Sequence, residues 1–177
     1  MLRLTRIHEA TLDEAQARSA PRLRLTHDQR SRSRLATMLP DGTAVALLLP
    51  RGSVLRDGAV LAGDDGALAI VEAAPQPLAR VTAPDALQML RAVYHLANRH
   101  VPAQLADDHV LIERDAVLEQ MLAALGAKVE PVEARFEPEA GAYEGHRHGA
   151  SQQEIDEASA TIGEQLSIAA HRARGRG

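Results

Sequence analysis

The chain has 177 residues, and its 20 lysines and arginines against 24 aspartates and glutamates give a formal net charge of −4. This charge gives little whole-chain attraction for a polyanion, so no nucleic-acid partner is expected. The hydrophobic share of 45% is enough for a core, but only 2% of residues are aromatic, so aliphatic side chains and alanine must build it. With no cysteine, disulfide scaffolds, thiolate metal sites and cysteine nucleophiles are excluded.

Membrane insertion is not expected from the hydropathy pattern. The longest purely apolar run, Ala44–Leu49, is too short to span a bilayer. The first residues do not begin the apolar core of a signal peptide. We therefore predict a cytoplasmic protein without a membrane partner.

Residues 1–75 alternate short apolar runs with turn residues, which is typical of a small β domain. Asp41-Gly42 and Asp64-Asp65-Gly66 each separate two runs and predict hairpin turns. The predicted strands are Leu2–Ile7, Arg22–Thr26, Arg34–Met38, Ala44–Leu49, Ala59–Ala62 and Ala67–Ala73.

Six arginines lie between Arg18 and Arg34, with Asp28 as the one acidic residue among them. Such a run could bind nucleic acid, but that function calls for a basic domain with a recognisable motif. Several of the arginines alternate with apolar or small residues. We therefore interpret the run as the solvated face of edge strands.

The segment Pro75-Gln76-Pro77 marks the predicted domain boundary, because closely spaced prolines resist both helix and central strand. Beyond it, apolar residues recur at three- and four-residue spacing over Asp85–Asn98 and Asp115–Leu125, which predicts two amphipathic helices. The first helix is identified by Leu87, Leu90, Val93, Tyr94 and Ala97, and the second by Val117, Leu118, Met121, Leu122 and Leu125.

Short extended segments flank the two helices and complete the order β-α-β-β-α-β. This order is the ferredoxin-like split motif, with two helices on one face of an antiparallel sheet. The predicted fold class is therefore α+β, with an all-β N-terminal domain over 1–75 and a ferredoxin-like domain over 76–138. The predicted extended segments are Leu78–Val81, Gln104-Leu105, His109–Glu113 and Lys128–Val132.

Residues 139–177 are predicted to form a flexible tail, because their glycine-rich, polar start cannot bury much surface. A capping-box pattern at Ser151–Glu154 and a following apolar stripe predict a helix over 151–170. The stripe is thin, so this helix is either marginal or a binding element for a partner.

Histidines are the main candidates for metal chemistry, and four of the eight form two clusters. His95 and His100 are five residues apart, about 140° around a helix, so one face cannot present both to one ion. His100 would need ligands from elsewhere, such as the same residue across a two-fold axis, or it is a structural hydrogen-bonding residue. His146-Arg147-His148 lies among glycines, so both imidazoles can turn to one ion or remain exposed without a role.

Three motifs resemble those of a known family. Tyr94–Pro102, with the sequence Y-H-L-A-N-R-H-V-P, resembles the Y-H-L-G-N-R-H-x-P signature of UreE, a family of urease accessory proteins that act as nickel metallochaperones. Asp41-Gly42 followed by Leu47–Gly52 resembles the family's D-G and L-L-L-P-R-G motifs, and Phe136–Tyr143 resembles its F-E-P-E-x-G-A-Y motif. The resemblance covers about residues 1–148.

The resemblance implies a homodimeric chaperone, not an enzyme, that binds Ni²⁺ and delivers it to the urease activation complex. His100 from both subunits would hold the nickel, and His146 and His148 of the tail would complete the site. The implied partners are the urease accessory GTPase of the UreG type and apo-urease. The N-terminal domain would resemble a peptide-binding module.

Several alternatives stay open beside this hypothesis. Zn²⁺ or Cu²⁺ could bind in vitro, since affinity order is a poor guide to the physiological metal, and roles for His95, His109 or His171 are undecided. Ala97 departs from the family's glycine, a change that a helical backbone tolerates. The chain could instead be a general nickel or zinc buffer, a protein-interaction module with incidental histidines, or a metal-dependent hydrolase using His95, His100 and His109 with Asp107 or Asp108.

Overall fold

The structure, a computed structural model, describes residues 1–140, so the helix predicted over 151–170 and His146, His148 and His171 lie outside it. The described chain divides into two compact units, Met1–Glu72 and the part from Ala73 onward. The α+β fold class is confirmed. The ranges 1–75, 76–138 and 139–177 stay predictions. Within residues 1–140, no helix is both long and apolar enough to cross a membrane.

The first unit contains two β-sheets that share one aliphatic core. Its elements are β1 (Leu2–Leu4), β2 (Arg6–Ile7), α1 (Glu14–Ser19), β3 (Arg22–Leu25), α2 (His27–Arg30), β4 (Arg34–Met38), β5 (Ala44–Leu48), β6 (Val60–Ala62) and β7 (Leu68–Ala73). One sheet has the order β1-β5-β4 and the other β2-β6-β7-β3. β1 runs parallel to β5, whereas β4 and β5 are antiparallel, as are β6 and β7. Buried core residues from both sheets include Leu4, Leu23, Leu25, Val45, Leu47, Leu61 and Val71.

Both predicted hairpin turns of this unit are confirmed. Gly42, between β4 and β5, has φ of +85°, and Gly66, between β6 and β7, has φ of +81°. In the first turn, Asp41 Oδ1 accepts a hydrogen bond from the Thr43 amide at 2.8 Å. Each turn thus combines an aspartate whose carboxylate accepts a hydrogen bond from the amide two residues further along with a glycine that adopts the left-handed conformation.

The arginine run is only partly the strand face that the sequence predicts. Arg22 and Arg24 are exposed on β3, which is an edge strand as expected. Arg18 lies instead on α1, and Arg30 lies on α2 with only 1% of its surface exposed. Its Nη1 donates a hydrogen bond to the Leu55 carbonyl at 2.7 Å. Burial with a backbone partner makes Arg30 a core residue, so the interpretation as a solvated face is wrong there.

The second unit has the predicted β-α-β-β-α-β order. Its elements are β8 (Gln76–Thr82), α3 (Ala86–Ala97), β9 (Ala103–Leu105), β10 (Val110–Glu113), α4 (Ala116–Ala124) and β11 (Lys128–Ala134). The sheet has the order β11-β8-β10-β9 with antiparallel neighbours, which is the ferredoxin-like arrangement. One buried cluster joins strand and helix residues, including Ala79, Val81, Ile112, Ala92, Leu96 and Leu122.

The predicted boundary at Pro75-Gln76-Pro77 overlaps a strand. β8 begins at Gln76 and includes Pro77, which lies opposite Glu133 of β11. The pairing of β8 with β10 begins only at Leu78. Pro77 therefore lies where β8 has a neighbour on one side, a position that tolerates the missing amide.

Candidate metal centre at the end of a helix

His100 is exposed at the end of α3, in a turn that closes the helix. The His100 amide donates to the Ala97 carbonyl at 2.9 Å, and the Val101 amide donates to the Leu96 carbonyl at 3.2 Å. Leu96 and Val101 both belong to the apolar cluster under the helices. This pair of bonds with its apolar contact is the Schellman motif, in which the residue at the position of His100 is usually glycine.

The backbone of His100 has φ of +54°, the one positive φ outside glycine among residues 1–140. The second helix provides an internal comparison. The Gly126 amide donates to the Ala123 carbonyl at 2.9 Å and the Ala127 amide to the Leu122 carbonyl at 3.0 Å. Gly126 has φ of +86°. Two helices of one domain thus end in the same motif, with glycine in one and histidine in the other.

A side chain in the left-handed conformation costs about 1–2 kcal/mol. At Gly126 a Cβ would also lie 2.8 Å from Gln88 Nε2, so the end of that glutamine side chain would have to shift. His100 is exposed, so its imidazole meets no such restriction. Residues held in sparsely populated conformations cluster at functional sites, and this makes His100 the foremost candidate ligand in the described chain.

Replacing His100 by glycine is expected to stabilise the metal-free protein by about 0.5–1 kcal/mol. The free energy gained by relieving the left-handed strain exceeds the cost of ordering glycine, which is more flexible in the unfolded chain. His100→Ala keeps a Cβ at the same φ and is the matched control, with stability within about 0.5 kcal/mol of the wild type. Urea unfolding of the metal-free proteins measures both. A glycine variant less stable than the alanine variant would contradict the strain argument.

His95 does not share a site with His100 within one chain. It is half-buried on α3, and its ring meets that of Tyr94 edge-on with centroids 5.5 Å apart. Among residues 1–140, no group of three or more histidine, aspartate or glutamate side chains could hold a metal ion. A metal bound at His100 therefore needs ligands from beyond residue 140 or from a second chain.

The candidate hydrolase residues form only part of a site. His109 Nδ1 lies 2.5 Å from Asp108 Oδ1, and Arg80 Nη2 lies 2.9 Å from Asp108 Oδ2. The hydrogen bond with His109, helped by the charges of His109 and Arg80, lowers the pKa of Asp108 despite some desolvation. This arrangement holds one carboxylate between an imidazole and a guanidinium. It brings neither His95 nor His100 into a joint metal cluster with Asp108 within the described residues.

The apolar pattern that predicts α3 lies largely on the side of the helix away from the sheet. Leu87, Leu90 and Tyr94 are 59%, 66% and 64% exposed, and their positions fall within about 60° around the helix. The side that packs on the sheet carries Met89, Ala92, Val93 and Leu96 instead. Leu87, Leu90 and Tyr94 are called the apolar stripe below, and the turn that follows their helix carries His100.

Two family models match almost the whole of the described chain. The model described as UreE urease accessory protein, N-terminal domain, matches residues 4–74, and that described as UreE urease accessory protein, C-terminal domain, matches residues 76–161. The second match includes His100, His146 and His148.

Curated relatives carry the name urease accessory protein UreE. The chain is 53% identical over 131 residues to that of Burkholderia ambifaria, covering 73% of this chain and 65% of the relative. It is 54% identical over 133 residues to that of Ralstonia nicotianae, covering 75% and 63%. The chain thus spans slightly less than two thirds of these relatives. They are named as accessory proteins rather than enzymes. On both domain matches and these identities, the chain belongs to the UreE family of urease accessory proteins.

Proposed function

We propose that this chain is a cytoplasmic homodimer that binds Ni²⁺ and delivers it to the urease activation complex. The observation that carries the proposal is His100, an exposed imidazole held at a left-handed helix end where the equivalent residue of the next helix is glycine. His100 is also the histidine of the N-R-H segment in the motif that resembles the family signature.

Nickel is the cargo of this proposed function, and the available ligands suit it. Neutral imidazole is a good ligand for nickel and for neighbouring late transition metals. Two copies of His100 in a dimer supply two nitrogens, and His146 and His148 of the tails supply more. A site with few ligands, some of them on a tail, leaves exchangeable positions, as a carrier that must release its ion requires.

The apolar stripe supports a dimer in which a second copy of the chain packs against α3. Leucine and tyrosine side chains exposed on one side of a helix are a surface that association would cover. The stripe lies on α3, and His100 lies in the turn that follows this helix, so pairing through the stripe would bring both metal ligands into one interface. A two-fold axis near the helix end would then convert one imidazole per chain into two at one ion.

Leu90→Glu is expected to weaken the dimer about 30-fold or more, because a central apolar contact would be replaced by an unpaired charge. The metal-free monomer should keep its stability, since Leu90 is 66% exposed. Val117→Glu is the matched control, because Val117 is 75% exposed on α4 and lies outside the stripe. Analytical ultracentrifugation measures both variants. An unchanged dimer with Leu90→Glu, or equal losses in both variants, would contradict pairing through the stripe.

The proposed recipients are the urease accessory GTPase of the UreG type and apo-urease. Membership of a urease accessory family supports a role in urease maturation. A general nickel or zinc buffer would bind metal without acting on urease, so a test of function must separate delivery from binding.

The proposed function is tested in cells that express urease with its other accessory proteins but lack this chain. Under limiting nickel, urease activity should be low and should be restored by the wild-type chain. His100→Ala should fail to restore it, whereas His95→Ala should succeed. Restoration by an unrelated histidine-rich nickel chelator would indicate buffering, and equal restoration by His100→Ala would contradict the proposal.

A further inference from the structure

The ends of α3 and α4 differ in how one backbone carbonyl finds its hydrogen-bond donor. In α4 the amide of Leu125, the residue before the left-handed glycine, donates to the Met121 carbonyl at 3.0 Å, which is the ordinary helical bond. In α3 the amide at the equivalent position, that of Arg99, donates instead to the Leu96 carbonyl at 3.0 Å. The His95 carbonyl, four residues before Arg99, therefore takes its donor from elsewhere.

The side chain of Arg99 provides that donor. Its Nη1 donates to the His95 carbonyl at 3.0 Å. The last carbonyls of a helix lack partners within the helix, and basic side chains near the C-terminus can bind them. The guanidinium also places a positive charge at the negative end of the helix dipole. The Arg99–His95 bond thus ties the residue before His100 back onto the last turn of α3.

The residue that follows His100 is fixed as well. Val101 packs against the apolar cluster under the helices, and its amide donates to the Leu96 carbonyl at 3.2 Å. Pro102 comes next and restricts the backbone of Val101 to extended conformations. His100 therefore lies between two residues whose positions are fixed, one by a side-chain hydrogen bond and the other by apolar packing.

The left-handed backbone gives the two helix ends different needs. Glycine adopts this conformation without steric cost, so the turn at Gly126 gains little by opening. At His100 the same conformation is strained, and opening of the last turn of α3 would relieve the strain. Strained residues persist only where the surrounding structure fixes them. The Arg99–His95 bond opposes opening at the helix end that carries a histidine.

We propose that Arg99 is a positioning residue that holds His100 in its left-handed conformation and so directs the imidazole toward nickel. The inference rests on the proposed function, in which His100 binds the ion. A ligand held in its binding conformation loses less conformational freedom when the ion binds. The charge of Arg99 acts in the opposite sense, because a cation near the site repels nickel. Positioning and charge therefore predict opposite effects of removing the guanidinium.

Arg99→Met removes both the donor and the charge but keeps an unbranched side chain, and Arg99 is exposed, so the fold should persist. One exposed hydrogen bond of this kind is worth about threefold in an equilibrium constant, and two copies at one ion give up to about tenfold. Calorimetric titration of Arg99→Met with nickel at pH 7 should therefore show about three- to tenfold weaker binding. Arg99→Lys, which keeps a charged donor, should recover most of the affinity.

Arg91→Met is the matched control for the charge. Arg91 is also exposed on α3, but its Nη1 donates to the Gln88 side chain rather than to a carbonyl of the last turn. Its removal takes away the same charge from the same helix and should leave nickel affinity close to that of the wild type. Analytical ultracentrifugation shows whether each variant is a dimer in the titration.

Nuclear magnetic resonance of the metal-free protein measures the positioning itself. The nuclear Overhauser effect between the amide and α protons of one residue is strong at a positive φ. For His100 it should weaken in Arg99→Met and return in Arg99→Lys. A role confined to general stability would leave this signal unchanged in the folded protein.

Three results would overturn the inference. Binding by Arg99→Met as tight as that of the wild type, or tighter, would show that Arg99 acts only as a nearby charge or not at all. Weaker binding with an unchanged His100 signal would show that Arg99 does not act through the conformation of His100. Equal weakening in Arg91→Met would point to the helix in general. Absence of tight nickel binding by the wild type would instead contradict the proposed function, and the resonance comparison, which needs no nickel, would still test the role of Arg99.

Discussion

Lowering the pH from 7 to 5 is expected to release nickel from the protein while leaving the fold intact. Imidazole must be neutral to bind a metal, and an imidazole in water is half protonated near pH 6.5. At pH 5 only about 3% of such groups are neutral, so a site that needs two of them loses roughly a thousandfold in affinity. Equilibrium dialysis at a series of pH values, with bound nickel measured by elemental analysis, records the release.

The fold should change much less over the same pH interval. The pKa of Asp108 is lowered, chiefly by its hydrogen bond with His109. A carboxylate with a lowered pKa contributes stability at pH values above the pKa of the unfolded chain, and this contribution is lost only as the pH falls below about 4. Circular dichroism of the metal-free protein at pH 7 and pH 5 is the control. Full nickel occupancy at pH 5 would mean that carboxylates, not histidines, are the principal ligands.

His100→Ala is expected to lower nickel affinity by more than about a hundredfold. Removing a residue that only hydrogen-bonds to a metal ligand already costs roughly 10- to 100-fold in affinity, and here both copies of a direct ligand would be lost. The dimer should persist, because the apolar stripe is unchanged. His95→Ala is the matched control on the same helix and should keep tight binding. Calorimetry measures the nickel affinity of both variants, and analytical ultracentrifugation measures whether each remains a dimer.

Two outcomes of that experiment would contradict the account. Tight stoichiometric binding by His100→Ala would show that other residues make the site. Equal losses in His100→Ala and His95→Ala would show that the helix as a whole, rather than one imidazole, sustains binding.

Local sequence signals predicted several elements because each signal has one strong physical cause. Asp41-Gly42 combines an aspartate that accepts a hydrogen bond from the Thr43 amide with a glycine at φ of +85°, and a hairpin forms there. Asp115 caps α4 and Gly126 ends it at φ of +86°, as the apolar spacing between them indicates. Ala97 lies within α3, so a helical backbone accommodates this chain's departure from the family's glycine.

The two short helices of the first unit were missed although their caps are visible in the sequence. Asp13 and Gln16, and likewise Thr26 and Gln29, form reciprocal capping boxes at the starts of α1 and α2. Helices of six and four residues carry too little apolar periodicity to be recognised. The burial of Arg30 could not be predicted from its place in a run of charged residues. It depends on a hydrogen bond to a carbonyl 25 residues away in sequence.

The predicted helix α3 is correct, but the sequence could not show which side packs on the sheet. Apolar residues lie on two sides of it, since Met89 and Leu96 pack inward while Leu87 and Leu90 are exposed. Periodicity reports that a helix is amphipathic, not what covers each face. The left-handed backbone of His100 was equally invisible, because glycine is the usual signal for that conformation. His146 and His148 lie outside the described residues, so their role as ligands stays a prediction.

The most direct test of the central claim is the stoichiometry of tight nickel binding by the full-length wild-type protein at pH 7. If two copies of His100 share one ion, calorimetric titration of protein of known dimer mass should give one tight nickel ion per dimer. One tight ion per chain, or tight binding by a form that ultracentrifugation shows to be monomeric, would contradict the shared site.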